Sequence, residues 1–152
     1  MKKLFYLFLL LPISLLVSCN DDKDITPADI TMTLTGVTEV SNKFYTISGS
    51  EITVDNIEAK SIGTKPTLLQ NITIFLDGIP LMNFPSFDNT FSTERIPAGN
   101  HSIDITAYFI QEGASLQTVL ISYPLVIVES PEDLPAEAPE LGTYSLSIRV
   151  GE

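Results

Sequence analysis

From Asp29 onward, apolar residues recur at every second position, the period that places them on one face of a β-strand. Ile30, Met32 and Leu34 alternate with Thr31, Thr33 and Thr35, which predicts a half-buried first strand. Strands are also predicted over 44–47 and 52–59. In the latter, Ile52 and Val54 share one phase and Ile57 and Ala59 the other, so a bulge near Asp55-Asn56 is expected to reconcile them. Ile72, Ile74 and Leu76 alternate with Thr73 and Phe75 and run into Asp77-Gly78, then Ile79-Pro80-Leu81. Asp-Gly between apolar runs predicts a two-residue hairpin, because a type I′ turn needs positive φ at both central residues. Pro80 has no N–H to give to a ladder, so the returning strand should be short or lie at a sheet edge.

After a loop over 83–90 rich in Phe, Asn and Ser, a short strand over 91–96 leads to the turn Pro97-Ala98-Gly99-Asn100. The longest regular alternation follows, with Ile103, Ile105, Ala107 and Phe109 on one face and Ser102, Asp104 and Thr106 on the other. Residues 111–114 close it, and 116–128 returns as a long strand bent at Pro124. Residues 131–140 hold three Pro and four acids, which predicts an extended polar spacer. Beyond it Tyr144, Leu146, Ile148 and Val150 alternate with polar residues, and this last strand is expected to return to an edge of the sandwich, beside the strand starting at Asp29, with pairing to another chain as the alternative. Left unpaired, it would invite aggregation. Seven to nine strands, with no helical window after residue 18 and no βαβ alternation, predict an all-β chain folded as an antiparallel sandwich.

The first residues follow a different pattern. Lys2 and Lys3 precede an apolar run over 4–17, which reads as a secretory signal. At about 1.5 Å per residue, fourteen residues are too short to cross about 30 Å of hydrocarbon as a helix. The run ends in Leu16-Val17-Ser18-Cys19, which resembles the lipobox of bacterial lipoproteins. The resemblance implies cleavage after Ser18, lipid on the Cys19 thiol and acylation of the new amino terminus, hence a membrane partner reached through that lipid. Several acyl chains, at about 0.8 kcal/mol per buried CH2, anchor far more firmly than one. Next comes Asn20-Asp21-Asp22-Lys23-Asp24, similar to the acidic tags of surface-exposed lipoproteins of Bacteroidota. Asn20 and Lys23 depart from that pattern, and a plain flexible tether is the other reading. The expected location is the outer membrane, lipid-anchored and facing outward. The expected division is signal peptide 1–18, tether 19–28, sandwich 29–130, spacer 131–140 and C-terminal strand 141–152.

A second resemblance covers about residues 51–129. The strand Ile74-Phe75-Leu76-Asp77-Gly78, the run Gly99-Asn100-His101-Ser102-Ile103-Asp104-Ile105-Thr106-Ala107, and the strand over 123–128 together resemble the bacterial immunoglobulin-like domains of surface lipoproteins. In those domains an aromatic-x-Asp-Gly turn ends the central strand, and a Gly-x-His-x-Ile-x-Ile-x-Ala strand follows the crossover. The resemblance implies an immunoglobulin-like fold and no activity. The disulfide and core Trp of antibody-type domains have no counterpart, since the chain has one Cys and no Trp.

Composition narrows the chemistry. With 8 Lys plus Arg against 19 Asp plus Glu, the formal net charge is -11, so no clustered cationic surface for nucleic acid is expected. One Cys and one His leave a Cys/His zinc site short of ligands. His101 could serve a hydrolase with Asp104 and a nearby Ser, but no Gly-x-Ser-x-Gly elbow accompanies it, and capping of turn carbonyls is the plainer role. Asp88-Asn89 lack the dense alternating ligands of a calcium loop, and no phosphate loop is present, so no cofactor or metal is expected. Phe84, Phe87 and Phe91, with Asn83, Asp88 and Asn89, form the one suggestive cluster. They either contact a sugar or a protein, or plug an end of the sandwich. The expected function is therefore a non-enzymatic binding or assembly module for a protein or a glycan. The alternatives are a His101 hydrolase, or an accessory subunit of a polysaccharide-capture or adhesin assembly.

Overall fold

The structure, a computed structural model, describes residues 25–84 and 89–151, apart from the side chain of Phe84. The signal segment and the lipobox with Cys19 lie outside the described residues. The strands are β1 (Ala28–Val40), β2 (Lys43–Ile47), β3 (Glu51–Ser61), β4 (Thr67–Leu76), β5 (Ile79–Phe84), β6 (Thr90–Ser92), β7 (Gly99–Gln111), β8 (Gln117–Val128) and β9 (Gly142–Val150). Among the described residues there is no α-helix.

The chain is all-β, and its nine strands join into one mixed sheet curled nearly into a barrel. The order is β5-β4-β7-β8-β2-β1-β3-β6, with β9 also on β1. Only antiparallel pairs were expected, but β2 runs parallel to β8, from Phe44 beside Leu125 to Ile47 beside Val128. The sheet is continuous because β1 changes partners. Its first part lies between β3 and β9, and residues 38–40 pair with β2. The change falls at Gly36, where φ is +88° and an added Cβ would lie 2.0 Å from the Glu51 carbonyl oxygen, so neither the backbone nor the space accepts a side chain.

The alternating residues point where their period directs them. Ile30, Met32 and Leu34 on β1, Ile72 and Ile74 on β4, Ile103, Ile105, Ala107 and Phe109 on β7, and Leu146, Ile148 and Val150 on β9 are all buried in one core. In β3 the phase changes at a bulge: Thr31 pairs with Glu58 but Thr33 with Asp55, and Asn56 takes φ +53°. Ile52 and Val54 before the bulge, and Ile57 and Ala59 after it, thereby reach the same core. Asp77 and Gly78, both at positive φ, turn β4 into β5, which is the terminal strand of the ladder and carries Pro80. β9 runs antiparallel to β1 from Ala28 beside Val150 to Val37 beside Gly142.

Two segments differ from expectation. The strand predicted over 91–96 is confined to Thr90–Ser92, because Thr93 turns inward. Its hydroxyl donates to the carbonyls of Ile47 and Ser50, at 3.0 Å each. The segment 131–140 is folded, not extended. A 3-10 turn at Pro131–Asp133 and a turn closed by Ala138 N–H on the Pro135 carbonyl (2.9 Å) bring Leu134 into a buried position.

Candidate functional site

The loop expected to carry ligand contacts is described only at its two ends. Phe87 and Asp88 lie outside the described residues, and Phe84 is placed by its backbone alone, at the end of β5 opposite Ile72. Phe91 is half-buried against the core, opposite Ile52 on β3. Asn89 is exposed, and its side chain is held by the Asp55 carboxylate while its carbonyl accepts from Val54 N–H at 2.8 Å. Asn83 is exposed on β5 and accepts a 2.9 Å hydrogen bond from Thr73.

His101 is paired, and with a partner that spacing along the sequence does not suggest. Pairing of β4 with β7 brings the Asp77 turn beside the start of β7, so that His101 Nδ1 lies 2.7 Å from Asp77 Oδ2 and Nε2 lies 2.8 Å from the Pro97 carbonyl. Both neighbours are acceptors, so both ring nitrogens are placed to donate, which favours the imidazolium. The hydrogen bond to Asp77 holds the His101 pKa above its ordinary value, against the opposing effect of burial. The hydrogen bonds from His101 and from Ser102 N–H (2.9 Å) hold the Asp77 carboxyl below the usual range. Asp104 faces elsewhere, accepting from Ser122 and from Ser102 Oγ (2.7 Å), which lowers its pKa too. Neither His101 nitrogen is turned toward a serine. Beside this turn a hollow of about 450 Å3 is lined by Ser48, Glu94, Arg95, Ile96, Pro97, Ala98 and Glu129.

At the other end of β7, Gln111 continues the inward phase of Phe109 and is fully buried. Its side chain clasps the backbone of Thr26, accepting from the N–H at 2.8 Å and donating to the carbonyl at 2.6 Å, and it also donates to Thr67 Oγ1 at 2.9 Å. The chain therefore enters the fold pinned to the end of β7. His101 lies about 33 Å away, ten steps along β7 at about 3.3 Å each.

The two outward-facing surfaces carry unlike chemistry. On β9, β1 and β3 the outward side chains are hydroxyls and charges that bond to one another. Thr35 and Thr143 meet at 3.0 Å, Asn56 donates to Thr33 at 3.1 Å, Lys60 pairs with Glu58 at 2.7 Å, and Arg149 pairs with Asp29. A hollow of about 300 Å3 opens there beside the bulge, lined by Thr31, Met32, Thr33, Asn56, Glu58, Lys60, Ser145, Leu146 and Ser147. The Thr31 hydroxyl within it is buried without a hydrogen-bond partner.

On β4, β7 and β8 the outward rows contain Leu68 beside Ile110, Phe75 beside Asp104, and Leu120 beside Thr106, with Tyr108 between them. Leu68 is 64% exposed and Leu120 63%. Asp104 is the one charge among these rows. Sequence reasoning did not single out Leu68 or Leu120. The available signal was the absence of any charged residue from Gln117 to Val128 in a chain of net charge -11. No protein family, curated protein or solved structure matches the chain.

Proposed function

We propose that the chain is a surface lipoprotein, anchored in the outer membrane through lipid on Cys19, whose immunoglobulin-like domain binds a protein partner and performs no catalysis. The observation that carries the binding reading is the outward surface of β4, β7 and β8, where Leu68 and Leu120 remain exposed on a nearly uncharged face. Apolar side chains left in water on one face, while the other bonds its polar groups internally, favour association there. An immunoglobulin-like arrangement is supported by the central run β4-β7-β8, by the hairpin at Asp77-Gly78, and by the short strand β6 on β3. The non-enzymatic reading is supported by His101, whose ring nitrogens are both engaged by acceptors.

A photo-crosslinking residue placed at position 68 or 120 of the full-length protein in intact cells should form adducts with a protein, and one at position 33 or 145 should not. Adducts from the second pair alone would overturn the assignment of the face. The anchor is tested separately. Cys19→Ala should abolish incorporation of labelled fatty acid and release the protein from the membrane fraction, and unchanged labelling would contradict lipidation.

The hollow at Thr31 favours a second reading, capture of a single sugar residue, because Thr33, Asn56, Ser145 and Ser147 set hydrogen-bonding groups beside the apolar Met32 and Leu146. Binding on a glycan array that is lost in Thr31→Val would support it, and an array without signal would remove it.

A further inference from the structure

Every backbone N–H and C=O on a strand edge needs a partner or water. On the side of β8 away from β7, β2 supplies partners only from Leu125 to Val128. Pro124, without an N–H, marks where that cover ends, and 117–123 has no strand beside it among the described residues. Three inward-pointing side chains on this stretch, Val119, Ile121 and Tyr123, are only half-buried, although their β7 neighbours Ala107, Ile105 and Ile103 are fully buried. Burial explains the raised pKa of Tyr123 as far as it goes, yet the edge of the core is still uncovered here. On the outward side of the same stretch lies Leu120. The other open edges differ. β4 over 67–71 carries the exposed Leu68 but is interrupted by a register shift between Leu69 and Asn71, β3 beyond Thr53 carries Asp55, Glu58 and Lys60, β5 carries Pro80, β6 has three residues, and β9 turns outward only Thr143, Ser145, Ser147 and Arg149.

We infer that the partner at this edge is a second copy of the same chain, paired antiparallel along 117–123. The inference rests on the proposed reading of the β4-β7-β8 surface as a contact face and names the occupant of its β8 edge, two strands from Leu68. The midpoint of the open stretch is Leu120, and twofold pairing about it matches the segment to itself. Leu120 meets its own mate, Val119 meets Ile121, Thr118 meets Ser122, and Gln117 meets Tyr123. Such an interface is isologous and closed, and its pairs are apolar with apolar at Leu120 and at Val119 with Ile121, hydroxyl with hydroxyl at Thr118 with Ser122, and amide with phenol at Gln117 with Tyr123. Charge points the same way. Two chains of net charge -11 repel wherever acids face one another, and 117–128 contains none. The nearest outward acid, Asp104, lies on β7. Across β7-β8-β8-β7 it is three strand spacings across and four residues along from its mate, about 20 Å, beyond the screening length of about 8 Å at physiological salt.

The test uses the full-length lipoprotein carrying Leu120→Cys, oxidised in membranes and run on a non-reducing gel. Twofold pairing places the two introduced thiols opposite each other, so a covalent homodimer should form. Ile62→Cys, exposed but away from the edge, should stay monomeric, and the protein with no introduced thiol, whose one cysteine is Cys19, should also stay monomeric, which excludes a link through the natural cysteine. Leu120→Lys should turn a dimer in sedimentation into a monomer with an unchanged circular dichroism spectrum. A folded Leu120→Cys protein that forms no disulfide and sediments as a monomer overturns the inference. If position 120 instead crosslinks to a different protein, the second-copy inference fails and the proposed contact face stands. If neither 68 nor 120 crosslinks to anything, both fail.

Discussion

The outward surface of β9, β1 and β3 and that of β4, β7 and β8 cover the same core, yet they handle polarity in opposite ways. The first pairs its charges and hydroxyls within itself, as in Asp29 with Arg149 and Thr35 with Thr143. Those exposed pairs add little stability, about 0–1 kcal/mol each, but they keep the face wet and disfavour a partner. The second leaves Leu68 and Leu120 in water, which gains nothing for the isolated fold. The contrast assigns structure to the first region and contact to the second, and variants on each side should separate the two roles.

The largest effect is expected from breaking the first region. Truncation after Glu129 removes β9, and with it the ladder along β1 and the buried Leu146, Ile148 and Val150. Each such side chain stabilises by at most about 1.5–3 kcal/mol, so together they approach the whole stability of an ordinary domain. The truncated protein should melt far lower or fail to fold in a circular dichroism melt. An unchanged melting temperature would show that β9 is not part of the stable unit. Gly36→Ala, at the bend of β1, should cost about 2 kcal/mol or more, because it combines positive φ with a clash against the Glu51 carbonyl. A denaturant midpoint equal to that of the natural chain would contradict the bend.

A smaller effect is expected at the turn end. The raised pKa of His101 stabilises the fold fully below its ordinary value near 6.5, and this is lost as pH rises through the folded value. The lowered pKa of Asp77 stabilises above about 3.8, and this is lost as pH falls through its folded value. The pair therefore contributes most in mildly acidic solution, between those limits. Asp77 is half exposed, so solvent screening reduces the contribution to about 1 kcal/mol. His101→Gln should lower the melting temperature at pH 5.5 by more than at pH 9, and an equal loss at both would mean the ring acts by packing alone. The smallest effect on stability belongs to the contact face itself. Leu68→Ser with Leu120→Ser should change unfolding free energy by no more than about 0.5 kcal/mol. A loss of several kcal/mol in that double variant would mark these leucines as core.

Much of the fold is legible in the sequence wherever a strand buries one face only. The phases of β1, β4, β7 and β9 follow from alternation, and the phase break in 52–59 locates the bulge at Asn56. The parallel course of β2 is not legible, because five residues carry no record of direction and the pairing depends on where β1 bends. β8 hides its phases for a different reason. Val119, Leu120 and Ile121 are consecutive apolar residues, so nothing local tells that Leu120 faces water. Gln111 could have been read, since it extends the inward phase of Ile103, Ile105, Ala107 and Phe109 as a polar residue needing partners. The approach of His101 to Asp77 joins residues 24 apart and needs the β4–β7 register. The aromatic loop was conspicuous by composition, yet the side chains described there are a half-buried Phe91, an Asn89 held by Asp55 and an Asn83 bonded to Thr73.

The division between a structural face and a contact face is tested most directly by thiol accessibility in intact cells. Leu68→Cys, Leu120→Cys, Thr33→Cys and Ser145→Cys in the full-length protein are labelled with a membrane-impermeant maleimide, and each rate is compared with that of the purified, diluted protein. Occupied contact predicts that labelling at 68 and 120 slows in cells while labelling at 33 and 145 keeps its purified-protein rate. Equal rates at all four positions, or slowing at 33 and 145 alone, would contradict it.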